Sequence, residues 1–430
     1  MSPLFAPILA QLVTLSVGDR TEARYLESDD KRFEASTDLG AVLAFRWRRA
    51  DLSLSYGPSL LLTPLERQPR ELLVFHNAAF GSTHRWHDTS VSLLSNLSFG
   101  DINFRVAALR APGARQTAAG PGAGGAEPTT GEDGAEPAQP SAGASAEPAQ
   151  GGGTTPDSAA TPQVRTFNRS VRYFASTTTL SLSHELNRHL SLGSYVAYTI
   201  GGGMDAQAQA DYPVASGWQA GASGAHIYRL SVRDSFSTSL SAQQAWSSNG
   251  NVVTTLLGNE DWSHALGRRT SSTLGAGVSL SRFSQDNGLE AISVFPTFTA
   301  GLGHEELLAR GNLSLGVVAY SAPALDPLRA TIDPRVGVGS NIGWSRDRFS
   351  MNASGGAALS IADPANDAGA IDSLEGAFIT AYRVSEGVLV DAGIRGAAQD
   401  FQDTATLIPP SWACFVGVSF GHEFQLKGGR

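Results

Sequence analysis

Apolar and small polar side chains alternate with a period of two along almost the whole chain, and no other feature restricts its fold so tightly. In ADLSLSYGPSLLL (residues 50–62), Leu52, Leu54, Tyr56, Pro58, Leu60 and Leu62 fall on one side and Ser53, Ser55, Gly57 and Ser59 on the other. Successive side chains of a strand point to opposite faces, so this is a strand with one oily and one polar face. HLSLGSYVAYTI (189–200), SSTLGAGVSLS (271–281), RVGVGSNIGW (335–344) and FSMNASGGAALSI (349–361) repeat the pattern. Helical spacing fits none of them as well.

The punctuation is equally regular. Tight polar turns are predicted at 46–51, 99–102, 184–189, 232–235, 264–269, 345–348 and 384–387. Longer connections are predicted near 26–36, 63–87, 111–168, 201–217, 283–291, 322–332, 362–370 and 399–410. Short turns at one end and longer loops at the other is the asymmetry of an outer-membrane barrel. The expected fold is therefore all-β: a closed antiparallel transmembrane β-barrel of about 18 strands, with short periplasmic turns and longer external loops. Aromatic residues near the strand ends, among them Tyr25, Trp47, Tyr56, Tyr198, Tyr228, Trp246, Trp262, Trp344, Tyr382 and Trp412, suit the membrane interface.

Composition agrees with this reading. Charged residues are 17% of the chain and apolar residues 41%, with 47 glycines and a mean hydropathy of -0.10. Low charge without high hydropathy suits a protein that hides half its side chains from water while showing a neutral polar face elsewhere. A soluble β-sandwich, the competing fold, would call for turns of similar length at both ends and more surface charge. No apolar run reaches the length of a spanning helix. A net charge of -9 argues against a nucleic-acid partner. The single cysteine, Cys414, leaves no disulfide framework and reads as a small hydrophobe.

Two segments depart from the strand grammar. Residues 1–10 read either as the tail of a secretory signal or as a lead-in, with residues 11–430 forming one barrel domain. Residues 111–163 are almost entirely Ala, Gly, Pro, Ser, Thr and acidic, and are expected to form a disordered low-complexity external loop.

No catalytic motif is present, so no enzyme activity is expected, and no cofactor is implied. His84, Arg85, Trp86 and His87, with His76 nearby, lack a carboxylate-rich partner set and are not expected to bind metal. Function is expected in the lumen, because a barrel this large encloses a ligand site or an aqueous channel. Strand parity turns Arg46, Arg48, Asn96, Asn103, Arg105, Tyr195, Gln243, Asn312, Arg335, Asn341, Asn352, Asp391, Arg395 and Gln399 inward, against a background of Ser, Thr and Gly. A hydroxyl and amide lining suits hydrophilic solutes, above all carbohydrate. A passive diffusion porin for small hydrophilic solutes is the alternative within this class; a barrel enzyme or an adhesive surface barrel lies outside it.

VTLSVGDRTEARYLESDDKRFEASTDLGAVLAFRWRRADLSLSYGPSLLL (13–62), RELLVFHNAAFGSTHRW (70–86) and YRLSVRDSFSTSLSAQQAW (228–246) resemble the β-barrel porins of Gram-negative bacteria associated with polysaccharide secretion. The resemblance implies an outer-membrane exit for an exported polysaccharide, fed by a periplasmic export protein without a membrane span of its own. The closing stretch WACFVGVSFGHEF (412–424) is similar to the C-terminal signal read by the barrel-assembly machinery. There Val416, Val418, Phe420 and the near-terminal aromatic Phe424 are expected to face lipid. The family usually ends on that aromatic, whereas QLKGGR follows here. The long insertion at 111–163 is a second departure, placed to screen or plug the pore mouth.

Overall fold

The computed structural model describes residues 12–27, 31–62, 72–102, 171–187, 189–211, 213–285, 288, 290–308, 311–326, 331–361, 371–401 and 408–426. Nearly all of them are strand. The first nine are β1 (Leu12–Glu27), β2 (Lys31–Arg46), β3 (Ala50–Leu62), β4 (Leu72–Trp86), β5 (Thr89–Ile102), β6 (Val171–Asn187), β7 (Leu190–Gly203), β8 (Ala215–Arg229) and β9 (Asp234–Ser247). The second nine are β10 (Val252–Ala265), β11 (Thr270–Ser284), β12 (Glu290–Leu308), β13 (Gly311–Asp326), β14 (Thr331–Arg346), β15 (Phe349–Ser360), β16 (Ile371–Ser385), β17 (Val388–Phe401) and β18 (Ile408–Leu426). Among the described residues one short helix, α1 (Ala206–Asp211), follows β7.

Every strand pairs antiparallel with its chain neighbours, and β1 closes on β18 with Val13 opposite Leu426 and Glu27 opposite Trp412. Closure leaves no sheet edge, so each wall strand finds backbone partners on both sides, as a hydrocarbon surround demands. The register keeps one face consistent around the ring. Ile292 and Val294 of β12 are 68% and 66% exposed, and Leu240, Leu274, Val278, Val416 and Phe420 lie on the same outer face. An apolar outer surface on a closed sheet is the arrangement lipid stabilises.

Aromatic rings mark both edges of that band. Phe236 and Trp246 stand ten residues apart on the outer face of β9, as do Trp218 and Tyr228 on β8. At about 3.3 Å per residue and a tilt near 40°, ten residues span roughly 25 Å of height. That matches the hydrocarbon thickness of such barrels. Six of the seven tryptophans lie on the outer face; the seventh, Trp47, is in the β2–β3 turn and stacks on Phe45 at 6.0 Å.

The strand count agrees with expectation although two boundaries differ. Residues 63–87 were expected to be one long connection, but β4 occupies most of that stretch. The turn predicted at 99–102 is absent, and β5 runs through it. Gly100 does not reverse the chain; it has φ +132° and sits between Phe75 and Tyr173, where a side chain would collide with the β4 backbone. The reversal falls at His87–Asp88, with His87 at φ 45°, and a matching two-residue turn begins at Asp347 (φ 48°). Positive φ at the first residue of such turns follows the twist of the flanking strands. Two further strand boundaries were not anticipated, at 248–251 and between Leu308 of β12 and Gly311 of β13. The low-complexity stretch 111–163 and residues 1–10 lie outside the described residues.

Candidate functional site

The interior wall is two-sided. From β5 to β12 it is almost neutral: among the described residues the register turns only Glu185, Arg229, Asp261 and Glu305 inward, all toward the short-turn end. Between them lies Ser and Thr, interrupted by hydrogen-bonded amides. Gln219 Nε2 donates to Tyr195 Oη at 2.7 Å, and Tyr195 Oη donates to Gln243 Oε1 at 3.0 Å. Thr297 Oγ1 donates to Asn259 Oδ1 at 2.6 Å.

Around the β1–β18 seam the wall is charged. Arg20 Nη2 reaches Asp391 Oδ2 at 2.6 Å and Glu22 Oε2 at 3.1 Å, while Arg395 Nη1 lies 3.5 Å from Glu22 Oε1. One step around the ring, Arg24 Nε donates to Glu34 Oε2 at 2.6 Å, and both side chains are buried. Arg395 also covers the Phe415 ring, its guanidinium carbon 3.7 Å from the centroid. Arg20, Arg24 and Arg395 thus face Glu22, Glu34 and Asp391, with Asp38 a further carboxylate on the interior register opposite Arg20, so most of the seam's charge is compensated locally.

Glycine sets how far these side chains project. Tyr195 is register-paired with Gly221, Tyr320 with Gly337 and Phe415 with Gly393. In each case ring atoms stand 2.5–2.9 Å from where a glycine Cβ would be. Asp391 leans over its partner Gly417 in the same way. Bulky interior groups therefore lie along the wall and not across the lumen, which widens the bore.

Exposure divides the interior by height. On the long-loop half Leu26, Glu34, Leu61, Tyr173, Thr255 and Ser279 are solvent-excluded. On the short-turn half Arg46, Asn312 and Asn352 are open to water. Two elements fold inward at the long-loop end. A Cβ on Gly203, whose register partner is the buried Tyr173, would collide with Ala208 of α1. Ile332 at the start of β14 packs with Ala245 and Val253 of β9 and β10, five and four strands away.

The residues that parity nominated fall as follows. Arg46, Asn96, Tyr195, Gln243, Asn312, Arg335, Asn341, Asn352, Asp391 and Arg395 share the interior register. Of these, Tyr195 and Gln243 meet directly, and Asp391 and Arg395 join one network through Arg20 and Glu22. Arg48 does not lie on the wall: it sits in the 47–49 turn, where strand parity has no meaning. Asn103, Arg105 and the side chain of Gln399 lie outside the described residues. Arg20, Glu22, Arg24 and Glu34 were missed, although GDRTEARYLE sets three charged residues at alternate positions of β1. The His84 ring lies tilted against Trp86 at 4.1 Å, and His76 lies between Tyr56 and Phe99 on the outer face.

A family model for exopolysaccharide export, EpsX, matches residues 128–423. The chain belongs to the EpsX exopolysaccharide export family. The barrel has solved structural neighbours of very low sequence identity. The FrpB iron transporter from Neisseria meningitidis (F5-1 variant, apoprotein form) is 9% identical with a TM-score of 0.50, covering 95% of this chain and 81% of that one. OccK2 (OpdF) from Pseudomonas aeruginosa is 11% identical with a TM-score of 0.42, covering 96% and 98%. OccAB3 from Acinetobacter baumannii is 9% identical with a TM-score of 0.44, covering 96% and 99%. At these identities the likeness concerns fold alone. No curated protein matches the sequence. Family and architecture together make the protein an outer-membrane β-barrel of polysaccharide export.

Proposed function

We propose that the barrel is the outer-membrane conduit through which a polysaccharide, delivered from the periplasm, leaves the cell. Family membership carries the reading. A neutral hydroxyl and amide wall, on a bore widened by register-paired glycines, supports it. Arg46, Asn96, Asn312, Arg335, Asn341 and Asn352 then serve as the water-facing lining along which the polymer moves. A periplasmic export protein docks at the short-turn rim, and Val416, Val418, Phe420 and Phe424 present the final strand to the assembly machinery and to lipid. The protein acts as a conduit and carries out no chemistry on the polymer. A permanently open diffusion porin fits the solvent-excluded long-loop half less well than a conduit that opens for its cargo. Deleting the gene tests the reading: cell-surface polymer should fall to background while its precursors accumulate inside, and unchanged secretion would refute it.

A further inference from the structure

The neutral wall holds one group suited to grip a sugar ring. Tyr195 leans across β8 because its partner there is Gly221: Cε1, Cζ and Oη stand 2.5, 2.9 and 3.0 Å from the absent Cβ. Its hydroxyl is pinned between Gln219 and Gln243, whose amides also meet at 3.2 Å. The phenol is thus held along the wall in one orientation. These bonds use the Gln219 donor and the Gln243 acceptor, so Gln219 Oε1 and Gln243 Nε2 remain to exchange hydrogen bonds with a ligand. Ser223 and Ser241 of the same interior faces add hydroxyls close by.

Height matters as well. Tyr195 keeps partial exposure, whereas Ala197 and Gln219, toward the long-loop end, are 8% and 7% exposed. The ring sits at the margin of the excluded half, with Ser241, on its short-turn side, also only 8% exposed.

We propose that Tyr195, Gln219 and Gln243 form a subsite for a neutral pyranose residue of the polymer. The proposal deepens the export reading and rests on it. A pyranose ring has a face of C–H bonds that packs on an aromatic surface, and an equatorial rim of hydroxyls that pairs with amides. The wall around Tyr195 offers no charge to an anionic sugar. A neutral ring loses no ionic hydration on entering this part of the bore.

Saturation-transfer NMR on the full-length protein in detergent micelles tests this directly and needs no open channel. The probes are maltohexaose, which is neutral, and hexagalacturonate, which is anionic and equal in length. Transfer to maltohexaose ring protons is expected on the native protein, with weaker transfer to hexagalacturonate. Tyr195→Ala should weaken maltohexaose binding at least tenfold, and Tyr195→Phe should retain most of it. If Tyr195→Ala fails to give a heat-modifiable barrel, Tyr195→Leu keeps apolar bulk without an aromatic face and should show the same loss. No transfer to maltohexaose on the native protein overturns the subsite. Equal binding by the folded Ala or Leu variant, or hexagalacturonate binding as tightly as maltohexaose, also overturns it. Those results leave the secretion test untouched, and intact secretion in the deletion strain would remove the export reading without altering the measured binding.

Discussion

Between Asp391 on β17 and Arg20 on β1 stands a whole strand, and the two side chains meet at 2.6 Å because β18 carries Gly417 at the crossing point. A Cβ there would stand 2.8 Å from Asp391 Oδ1 and 3.4 Å from Arg20 Nη2. Asp391 is 4% exposed, and removing its charge leaves the Arg20 guanidinium with Glu22 alone. Asp391→Ala should therefore cost about 1.5–3 kcal/mol. The readout is the temperature at which the folded band disappears on unheated gels. The Arg20→Ala, Asp391→Ala double variant should recover part of the loss, since the guanidinium that lost a partner is then gone as well. Asp391 and Arg395 were legible from alternation alone. Their partners were not, because the contact skips a strand and exists only once the ring's register is known.

The final strand separates two roles that usually coincide. Phe424 is 47% exposed on the outer face opposite Leu15, so its ring adds little to packing within the wall. Phe424→Ala should change the stability of refolded protein by about 1 kcal/mol or less. The same variant should lower the amount of folded barrel in the outer membrane several-fold, measured by fractionation and heat-modifiable migration. Parity placed Val416, Val418, Phe420 and Phe424 on one face without difficulty, since an apolar stripe on alternate residues has a single interpretation. Turns were harder to read. FGDI carries Gly and Asp, the usual signs of reversal, yet Gly100 serves a close approach to the β4 backbone inside a continuous strand. HRWH, rich in aromatics, holds the actual bend at His87. Composition registers that a glycine is needed, not which constraint demands it.

At the scale of the molecule, and away from the charged β1–β18 seam, the interior is open toward the short turns and excluded toward the long loops. α1 packs on the wall through Ala208, and the start of β14 reaches β9 and β10 through Ile332. Removing residues 204–213 and joining β7 to β8 by a short Gly/Ser link should raise single-channel conductance several-fold in planar bilayers. An unchanged conductance would locate the constriction elsewhere. Strand number and closure were readable from period and punctuation; the narrowing was not, because it depends on segments that break the alternation. The seam has a kinetic consequence. Arg20 and Asp391 are 371 residues apart in sequence, so the contact that completes the ring joins nearly the two extremes of the chain. Loop-closure entropy delays such a pairing behind every hairpin. Until then β1 and β18 are bare strand edges, open to pairing with any other chain. The interval between the last hairpin and the closing seam is therefore when this protein is most exposed to aggregation, and when a chaperone has most to protect.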